Sequence, residues 1–230
     1  MMTVSIQSDG VGAVTNHDVA GHGVTGSRSR VHGTSARGTD YAGVHVVYLG
    51  HRSAVVTAAM RLILPGAEVT FVEADRLHEL SVDGEAIVLM DGSHDPADVP
   101  TLLEAAARRS VGMVVGSRST TGGRDGSSAL RRVGTRVANA LIRHTADLPL
   151  RDVTSSFRVY TGDAWRSIDG AAALRGGLLP SLVTSAHAVH HQRWIIAEVP
   201  VSTRPLSGTA RPNVGSLLRT VVVLARRRRA

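Results

Sequence analysis

Short apolar runs alternate with segments of helical spacing along the middle of the chain. We predict buried strands at five such runs: Val44–Leu49, Glu68–Val72, 86–90, 112–115 and 195–201. Between the first two, residues 54–64 are apolar enough for a packing helix, which Pro65-Gly66 would end. Strands that alternate with helices predict βαβ units, so the fold class is a three-layer α/β domain with a mainly parallel sheet.

Two further helices are predicted from capping residues and periodicity. Asp95 can cap a helix whose first turn accepts Pro96, and its core side would carry Val99, Leu102, Leu103 and Ala106. A later helix begins near Leu130 and has apolar residues at helical spacing: Leu130, Val133, Val137 and Leu141. Arg132, Arg136 and Arg143 share another face of it, which is either solvated or binds an anion.

The two ends of the chain lack such patterning. Residues 1–40 are rich in Gly, Ser, Thr, His and Val without a helical or strand period, and we predict that they are mostly disordered. They lack both the basic region and the apolar region of a secretory signal, and the expected location is cytoplasmic, peripheral at the inner face of the membrane. The predicted domain covers 41–212, and 213–230 form a basic amphipathic tail.

Composition excludes several classes of protein. Aromatic residues are only 3% of the chain, which argues against the stacking platforms of single-strand nucleic-acid binders. The absence of cysteine excludes disulfides and cysteine-ligated zinc. The net charge of +7 comes from the C-terminal end, since the residues from 203 onward contain seven arginines and no acid. Such a segment suits an anionic surface or a phosphate ligand.

The C-terminal segment is a candidate for membrane contact. Residues 214–225 are apolar apart from Arg219 and are followed by four arginines, Arg226–Arg229. This run is too short to cross a bilayer but can lie in the interface with its arginines among anionic headgroups. A final helix packed on the domain, with a solvated tail, is the alternative.

One acid stands where ligands bind in this class of fold. Asp91 follows the third predicted strand and precedes Gly92, where the backbone can approach a ligand closely. In open α/β sheets, ligands bind outside the carboxyl ends of the strands. A carboxylate there is a natural ligand for a hard divalent cation that holds a diphosphate. A plain role for Asp91 in a turn or cap is the alternative.

Five segments in order resemble the polyprenyl-phosphate sugar transferases of glycosyltransferase family 2, the dolichyl-phosphate mannose synthase type. Residues 87–100 resemble their metal-binding segment, 114–118 the following strand and arginine, and 131–139 the arginine-rich acceptor helix. Residues 151–160 resemble their Asp-x-Thr-Ser-Gly-Phe-Arg segment, and 197–201 with 208–211 resemble the closing strand and basic donor loop. The likeness covers roughly 44–225 and implies a GT-A-like nucleotide-sugar transferase fold.

The resemblance implies an enzyme that moves a sugar from a UDP- or GDP-linked donor to a lipid-linked phosphate, with inversion, at the inner face of the membrane. Asp91 would be the catalytic carboxylate and would hold Mg²⁺ or Mn²⁺, with Asp95 as a further metal ligand. Donor-binding residues would be Arg204 and Arg211, and acceptor phosphate-binding residues would be Arg118, Arg131, Arg132 and Asn139. The acceptor phosphate is itself the nucleophile, so no strong general base is required.

Departures from the family pattern keep other functions open. The first strand ends in Leu49-Gly-His-Arg-Ser53 instead of a Pro-x-x-Asn-Glu-like turn, and Asp91 stands where the family has Asp-x-Asp. Between Asp75 and Ile87 the chain is too short for a strand and helix of the family, so the fold is expected to be truncated. The first alternative to an active enzyme is a binding or regulatory protein that keeps the lipid-phosphate side. The second is a nucleic-acid-binding protein, against which the terminal position of the charge argues.

Overall fold

The computed structural model describes residues 4–5, 40–174 and 177–204. Its strands are β1 (Val4–Ser5), β2 (Val44–Leu49), β3 (Glu68–Val72), β4 (Ala86–Asp91), β5 (Val111–Ser117), β6 (Arg124–Asp125), β7 (Arg158–Thr161), β8 (Ile195–Pro200) and β9 (Ser202–Thr203). Its helices are α1 (Ala54–Ile63), α2 (Val99–Ala106), α3 (Ala129–Ala146), α4 (Gly162–Ser167), α5 (Gly170–Ala173) and α6 (Leu178–His191).

The main sheet is mixed but mainly parallel, as predicted. Its order is β1-β8-β5-β7-β4-β2-β3, and β6 pairs with β9 in a separate small ladder. Only β7 runs antiparallel to its neighbours in the main sheet of the described residues, between β4 and β5. The carboxyl ends of β2, β4, β5 and β8 therefore meet at one edge, and the loop that enters β7 arrives at that same edge. This edge is where the fold places a ligand.

Both faces of the sheet are covered, which explains why its strands read as continuous apolar runs. On β4, Val88 and Met90 pack with α1 and α2. Ile87 and Leu89, which alternate with them, pack on the opposite face with residues of α3, α4 and α6. The predicted three-layer α/β architecture is confirmed, with Asp91 at the carboxyl edge of a central strand.

The predicted cap at Asp95 is confirmed. The Asp95 carboxylate accepts from the backbone N–H of Ala97 at 3.0 Å, at the start of a 3₁₀ turn that leads into α2. The Ser53 hydroxyl caps α1, which the sequence analysis did not anticipate. The predicted core residues of α2 are all buried: Val99, Leu102, Leu103 and Ala106. Between β3 and β4 lies a single 3₁₀ turn, Leu77–Glu79, which agrees with the predicted shortness of this connection.

Strand β7 was not predicted from the sequence. This strand has four residues, and Arg158, its first, is fully buried, so the apolar run that would mark a strand is interrupted. The Arg158 guanidinium instead donates to three backbone carbonyls, those of Ser155, Val153 and, on α6, Leu182. Because these bonds satisfy its N–H groups, a charged side chain can replace a core residue and fasten the preceding loop to α6.

The ends of the chain lie largely outside the described residues. Val4–Ser5 pairs in parallel with β8 at the edge of the sheet. The rest of 1–39 lies outside the described residues, so the prediction that this segment is mostly disordered stays a prediction. The predicted tail, 213–230, falls outside the described part entirely. Among the helices that the structure describes, none combines the length and the apolar character needed to span a bilayer.

Two glycine substitutions test the packing of this fold. A Cβ at Gly112, on β5, would lie 2.6 Å from Trp194 Cβ and 2.9 Å from Ala164 Cβ, so Gly112→Ala should lower the free energy of unfolding by about 1–3 kcal/mol.

A Cβ at Gly134, in the middle of α3, would have no atom within 4 Å. Gly134→Ala should therefore raise the free energy of unfolding by about 0.5–1 kcal/mol. Urea unfolding measures both, and a stabilising Gly112→Ala would contradict this packing.

Candidate active site at the carboxyl edge of the sheet

Asp91 is the first centre of the site. One carboxylate oxygen accepts from the backbone N–H of Ser93 at 2.8 Å and from its hydroxyl at 2.5 Å, and lies 3.1 Å from His94 Nδ1. The other accepts from the Ser156 hydroxyl at 2.6 Å. Burial alone raises the pKa of Asp91, but His94 and the two hydroxyls outweigh it, and the pKa lies well below its ordinary value. Asp91 is therefore an anion under all physiological conditions.

His94 is a buried neighbour of this carboxylate. Its ring lies against Phe157, with centroids 4.8 Å apart, and the residue is buried. Its Nδ1 faces Asp91, while the buried Nε2 has no hydrogen-bond partner within the described residues. The sequence suggested no role for His94, because the contact between His94 and Asp91 depends on the conformation of the turn after β4.

Asp95 and Arg204 form a second, more exposed pair beside it. Arg204 Nη2 lies 2.8 Å from the Asp95 oxygen that does not cap Ala97, and the backbone N–H of Arg204 donates to the carbonyl of Ser93 at 2.8 Å. The chain after β9 is thus fastened to the turn after β4. Arg204 therefore lies beside the turn after β4, and its role in donor binding stays a prediction. Arg211 lies outside the described residues.

The second centre of the site is the ion pair between Arg118 and Asp152. Arg118 Nε and Nη2 each lie 2.7 Å from a different oxygen of Asp152, a bidentate geometry, and its backbone N–H donates to the same carboxylate at 2.9 Å. Burial alone raises the pKa of Asp152, but Arg118 outweighs this effect and holds it below the ordinary value. The Arg118 side chain keeps 17% of its surface exposed, whereas Asp152 has none. Arg118 therefore presents an oriented guanidinium to the edge of the sheet.

Buried polar groups hold Asp152 in turn. The Asn139 amide, on α3, donates to Asp152 at 3.1 Å and accepts from the backbone N–H of Thr154 at 2.9 Å. Glu198, on β8, accepts from the backbone N–H groups of Arg151 and Asp152, both at 3.0 Å. Burial raises the pKa of Glu198. Asn139 thus positions the loop that orients Arg118, and its direct contact with a phosphate stays a prediction.

One loop, 152–156, joins the two centres. Asp152, at its start, holds Arg118, and Ser156, at its end, donates to Asp91. Between them, the Ser155 hydroxyl donates to the backbone carbonyl of Gly116 on β5 at 2.6 Å. The loop therefore lies across the ends of β4 and β5 and fixes an anionic group and a cationic group relative to each other.

The other predicted acceptor residues lie at the start of α3. Arg131 is exposed in the first turn, where its backbone N–H is capped by the Ser128 hydroxyl at 3.5 Å. Arg132 donates from Nη1 to the backbone carbonyl of Ser127 at 2.6 Å, which turns it back toward the segment that enters the helix. The hydrogen bonds of Arg131 and Arg132 described here do not involve Arg118. The convergence of the three arginines on one phosphate therefore stays a prediction.

The residues at this edge could hold a divalent cation only if the phosphates of a bound nucleotide supplied further ligands. In the described part of the chain, no group of three His, Cys, Asp or Glu side chains could hold a metal ion by itself. Asp91 offers one ionised carboxylate, and Mg²⁺ in nucleotide sites is commonly held by one or two carboxylates together with substrate phosphates. Asp95 is engaged by Arg204 and by its capping bond, and its role as a further metal ligand stays a prediction. His187 and His191 stack on α6 and belong to no such group.

Several residues of the site escaped sequence reasoning, although Asp152 and Ser156 lie within a segment singled out by resemblance. Their partners are 34 and 65 residues away along the chain, so no local spacing could pair them. Glu198 offered one signal, an acid inside an otherwise apolar strand. Such an acid requires buried donors, because a carboxylate without them is costly in a core.

Among known proteins, one curated protein is similar to part of this chain. No protein-family model matches the chain. An undecaprenyl-phosphate mannosyltransferase from Micrococcus luteus is 39% identical over 80 residues, which are 34% of this chain and 32% of that protein. The match thus spans about a third of the length of this curated relative.

Solved structures with a similar course of the backbone are distant. A glucosyl-3-phosphoglycerate synthase from Mycobacterium tuberculosis, in complex with Mn²⁺, UDP-glucose and glycerol 3-phosphate, has a TM-score of 0.48 and 14% identity, over 81% of this chain and 80% of its own. The mannosyl-3-phosphoglycerate synthase from Rubrobacter xylanophilus has a TM-score of 0.45 and 14% identity, over 82% and 74%. At these scores the likeness concerns the backbone alone.

Substitution of Asp152 tests the polar framework. Asp152→Asn leaves the Arg118 guanidinium without its carboxylate, and breaking such a buried pair should lower the free energy of unfolding by about 3–5 kcal/mol at pH 7. Because the native pKa is lowered, the contribution of Asp152 is present above about pH 4 and is lost as the pH falls through the native pKa. Urea unfolding at several pH values should therefore show a smaller loss of stability on acidification in the variant. Asp163→Asn, in the exposed pair with Arg166, is the control and should change little. Equal stabilities of the two variants would contradict this framework.

Proposed function

We propose that the chain is a family 2 glycosyltransferase domain that transfers a sugar from a UDP- or GDP-sugar to a polyprenyl-phosphate acceptor, with inversion, at the inner face of the membrane. One observation carries the proposal: the loop 152–156 holds the Asp91 carboxylate at the end of β4 and the Arg118 guanidinium after β5 in a single framework. The partial match to an undecaprenyl-phosphate mannosyltransferase supports the class of acceptor.

The donor would lie beside Asp91. A bound Mg²⁺ or Mn²⁺ would neutralise the donor diphosphate and stabilise the charge that develops on it as the leaving group. Asp91, ionised and oriented by Ser93, His94 and Ser156, would hold that cation. Arg204 is anchored at the same turn, and Arg211 would follow it in a loop that closes over the donor.

The acceptor phosphate would lie beside Arg118. Within the described residues Arg118 Nη1 makes no hydrogen bond, so it remains available for a phosphate oxygen, and Arg131 and Arg132 would supply further donors. A phosphate oxygen attacks the anomeric carbon, and the bond from that carbon to the donor diphosphate breaks, which inverts the configuration. Since the nucleophile is already an anion, the protein contributes position and charge stabilisation.

A second function is a binding or regulatory protein that keeps only the acceptor side. The short connection between β3 and β4 favours it, because a single 3₁₀ turn replaces the strand and helix that the family resemblance leads us to expect in the nucleotide half. The polar framework around Arg118 uses none of that region. The two functions therefore differ in whether a nucleotide sugar binds.

Thermal shift tests donor binding. A UDP- or GDP-sugar with Mn²⁺ should raise the melting temperature of the wild type. At a ligand concentration a hundred times Kd, binding should add about 2.7 kcal/mol to the free energy of unfolding. Mn²⁺ alone should have little effect, because the protein offers one principal ligand. Asp91→Asn should lose the Mn²⁺-dependent part of the shift, relative to its own baseline.

The control for this test is Asp83→Asn, an exposed acid before β4 at the opposite edge of the sheet. It should respond like the wild type. No shift with any nucleotide sugar in the wild type would favour the binding protein over the enzyme. An equal Mn²⁺-dependent shift in Asp91→Asn and the wild type would refute the metal assignment.

Acceptor binding is best tested at Arg131, because Arg118→Ala would leave the buried Asp152 unpaired and confuse binding with stability. Arg131→Ala should weaken binding of a short-chain isoprenyl phosphate in free solution by about 1.5–3 kcal/mol, the range for a charge-assisted hydrogen bond. Arg143→Ala, near the other end of α3, is the matched control and should bind like the wild type. Isothermal titration calorimetry measures both. Equal weakening by the two substitutions would indicate diffuse attraction instead of a specific pocket.

A further inference from the structure

Strand β3 forms one edge of the main sheet. In the described residues it stands last in the strand order, beside β2, with which it pairs without a bulge over all of Glu68–Val72. Proteins commonly protect such edges with very short strands, prolines, bulges or lysines, and β3 has none of these. Its only charge is Glu68, at the first position. The strand is therefore open to pairing with another strand.

The connection after β3 leaves this edge uncovered. The family resemblance leads us to expect a further strand and helix between β3 and β4, whereas the structure has only the 3₁₀ turn Leu77–Glu79 there. Leu77 and Leu80 are buried with Leu49 and Ile87, so the connection crosses the face of the sheet. Four of the five β3 residues are only half-buried. The shortened connection thus exposes a strand that a further strand would otherwise cover.

The outward backbone groups of β3 belong to Val69 and Phe71. The N–H of Gly50, after β2, donates to the Val72 carbonyl at 2.9 Å, so Val72 faces β2. Successive residues of a strand face opposite sides, so Thr70 also faces β2, whereas the N–H and C=O groups of Val69 and Phe71 point away from it. No strand of the described sheet lies on that outer side. The edge thus offers two donors and two acceptors, a set that an identical strand can satisfy.

We propose that β3 pairs antiparallel with β3 of a second copy of the chain, around a two-fold axis at Thr70. In this register Val69 of each copy exchanges two hydrogen bonds with Phe71 of the other. All the outward groups of both residues are then paired, and each copy presents the same surface to the other, as a two-fold interface requires.

The side chains agree with this register. Thr70 would lie opposite Thr70, and Glu68 opposite Val72, so no like charges face each other. Val69 and Phe71 lie on the face of the sheet that α1 covers. Across the axis they would form two pairs of a β-branched and an aromatic side chain, which stabilise antiparallel strands.

Registers shifted by two residues satisfy fewer groups. One shift would pair Phe71 with Ala67, whose N–H already donates to the Leu64 carbonyl at 3.1 Å. The other would pair Val69 with Glu73, whose carbonyl already accepts from the Arg76 N–H at 2.9 Å. The register centred on Thr70 is therefore the one that the edge favours.

Pairing would leave both candidate sites accessible. The strands of the two copies would point in opposite directions, so Asp91 and Arg118 of each copy would lie at opposite edges of the joined sheet. The dimer is therefore expected whether or not the chain transfers a sugar. Because five residues per copy form a small interface, we expect the association to be weak and dependent on concentration.

Cross-linking at the axis tests the pairing and its register. The chain contains no cysteine, so Thr70→Cys carries a single thiol. Opposed residues of a non-hydrogen-bonded pair have Cα atoms about 4.5 Å apart, within the range of a disulfide. Mild oxidation of the full chain should therefore convert Thr70→Cys to a covalent dimer, which non-reducing electrophoresis detects.

Glu68→Cys is the matched control. Glu68 and Thr70 each contact His45, so both substitutions remove one such contact, and the Glu68 side chain is 76% exposed. In the proposed register the two thiols at position 68 would lie four residues apart along the paired strands, about 13 Å, which is too far for a disulfide. Thr70→Cys should therefore cross-link roughly tenfold faster or more. Equal rates, or faster cross-linking of the more exposed control, would indicate random collision and refute the pairing.

Sedimentation velocity gives an independent measurement without cysteines. The wild type should shift from one chain to two as its concentration is raised. Val69→Pro removes an outward N–H and leaves the ladder with β2 intact, so it should raise the Kd of the dimer roughly tenfold or more while the chain stays folded in thermal melting. A wild type that stays monomeric would show that the edge does not pair with a second copy. A dimer unaffected by Val69→Pro would place the interface elsewhere, and either result overturns the proposal.

Discussion

The buried carboxylate of Asp152 is the group on which the rest of the site depends. It has no exposed surface, so its charge is tolerable only because Arg118, Asn139 and Thr154 surround it with donors. Satisfying it fixes the direction of Arg118 and the position of α3. A buried anion of this kind contributes specificity of arrangement more than net stability, since its desolvation offsets much of the attraction.

Strand β7 extends the same constraint through the sheet. Because it runs antiparallel between two parallel pairs, the loop before it enters at the edge where β4 and β5 end. Arg158, at its first position, donates hydrogen bonds to backbone carbonyls of this loop and of α6. These bonds hold the loop against α6. The positions of the Asp91 carboxylate and the Arg118 guanidinium are thus both held by hydrogen bonds to one loop, which suits chemistry that works by positioning.

Helix α3 links the site to the surroundings of the protein. Its inner side supplies Asn139 to the buried framework, and its outer side exposes Val133 and Val137. The inner side combines Asn139, which Asp152 and the backbone of Thr154 need as a partner, with Ile142 and Ala146 of the core. The exposed apolar residues add no stability in water, because stabilisation by apolar surface requires its burial.

The sequence by itself determined the strands whose apolar runs face two cores, the cap at Asp95, and the position of Asp91 at the end of a central strand, because each depends on residues a few positions apart. It did not indicate β7, whose buried arginine breaks the apolar pattern, nor the pairing of Arg118 with Asp152 and of Asp91 with Ser156. It predicted α3 but not the exposure of Leu130, Val133, Val137 and Leu141, since periodicity defines an apolar stripe without saying which way it faces. Those features were decided by the tertiary structure, where buried charges find partners far apart in the chain and the cost of leaving them unpaired outweighs local preference.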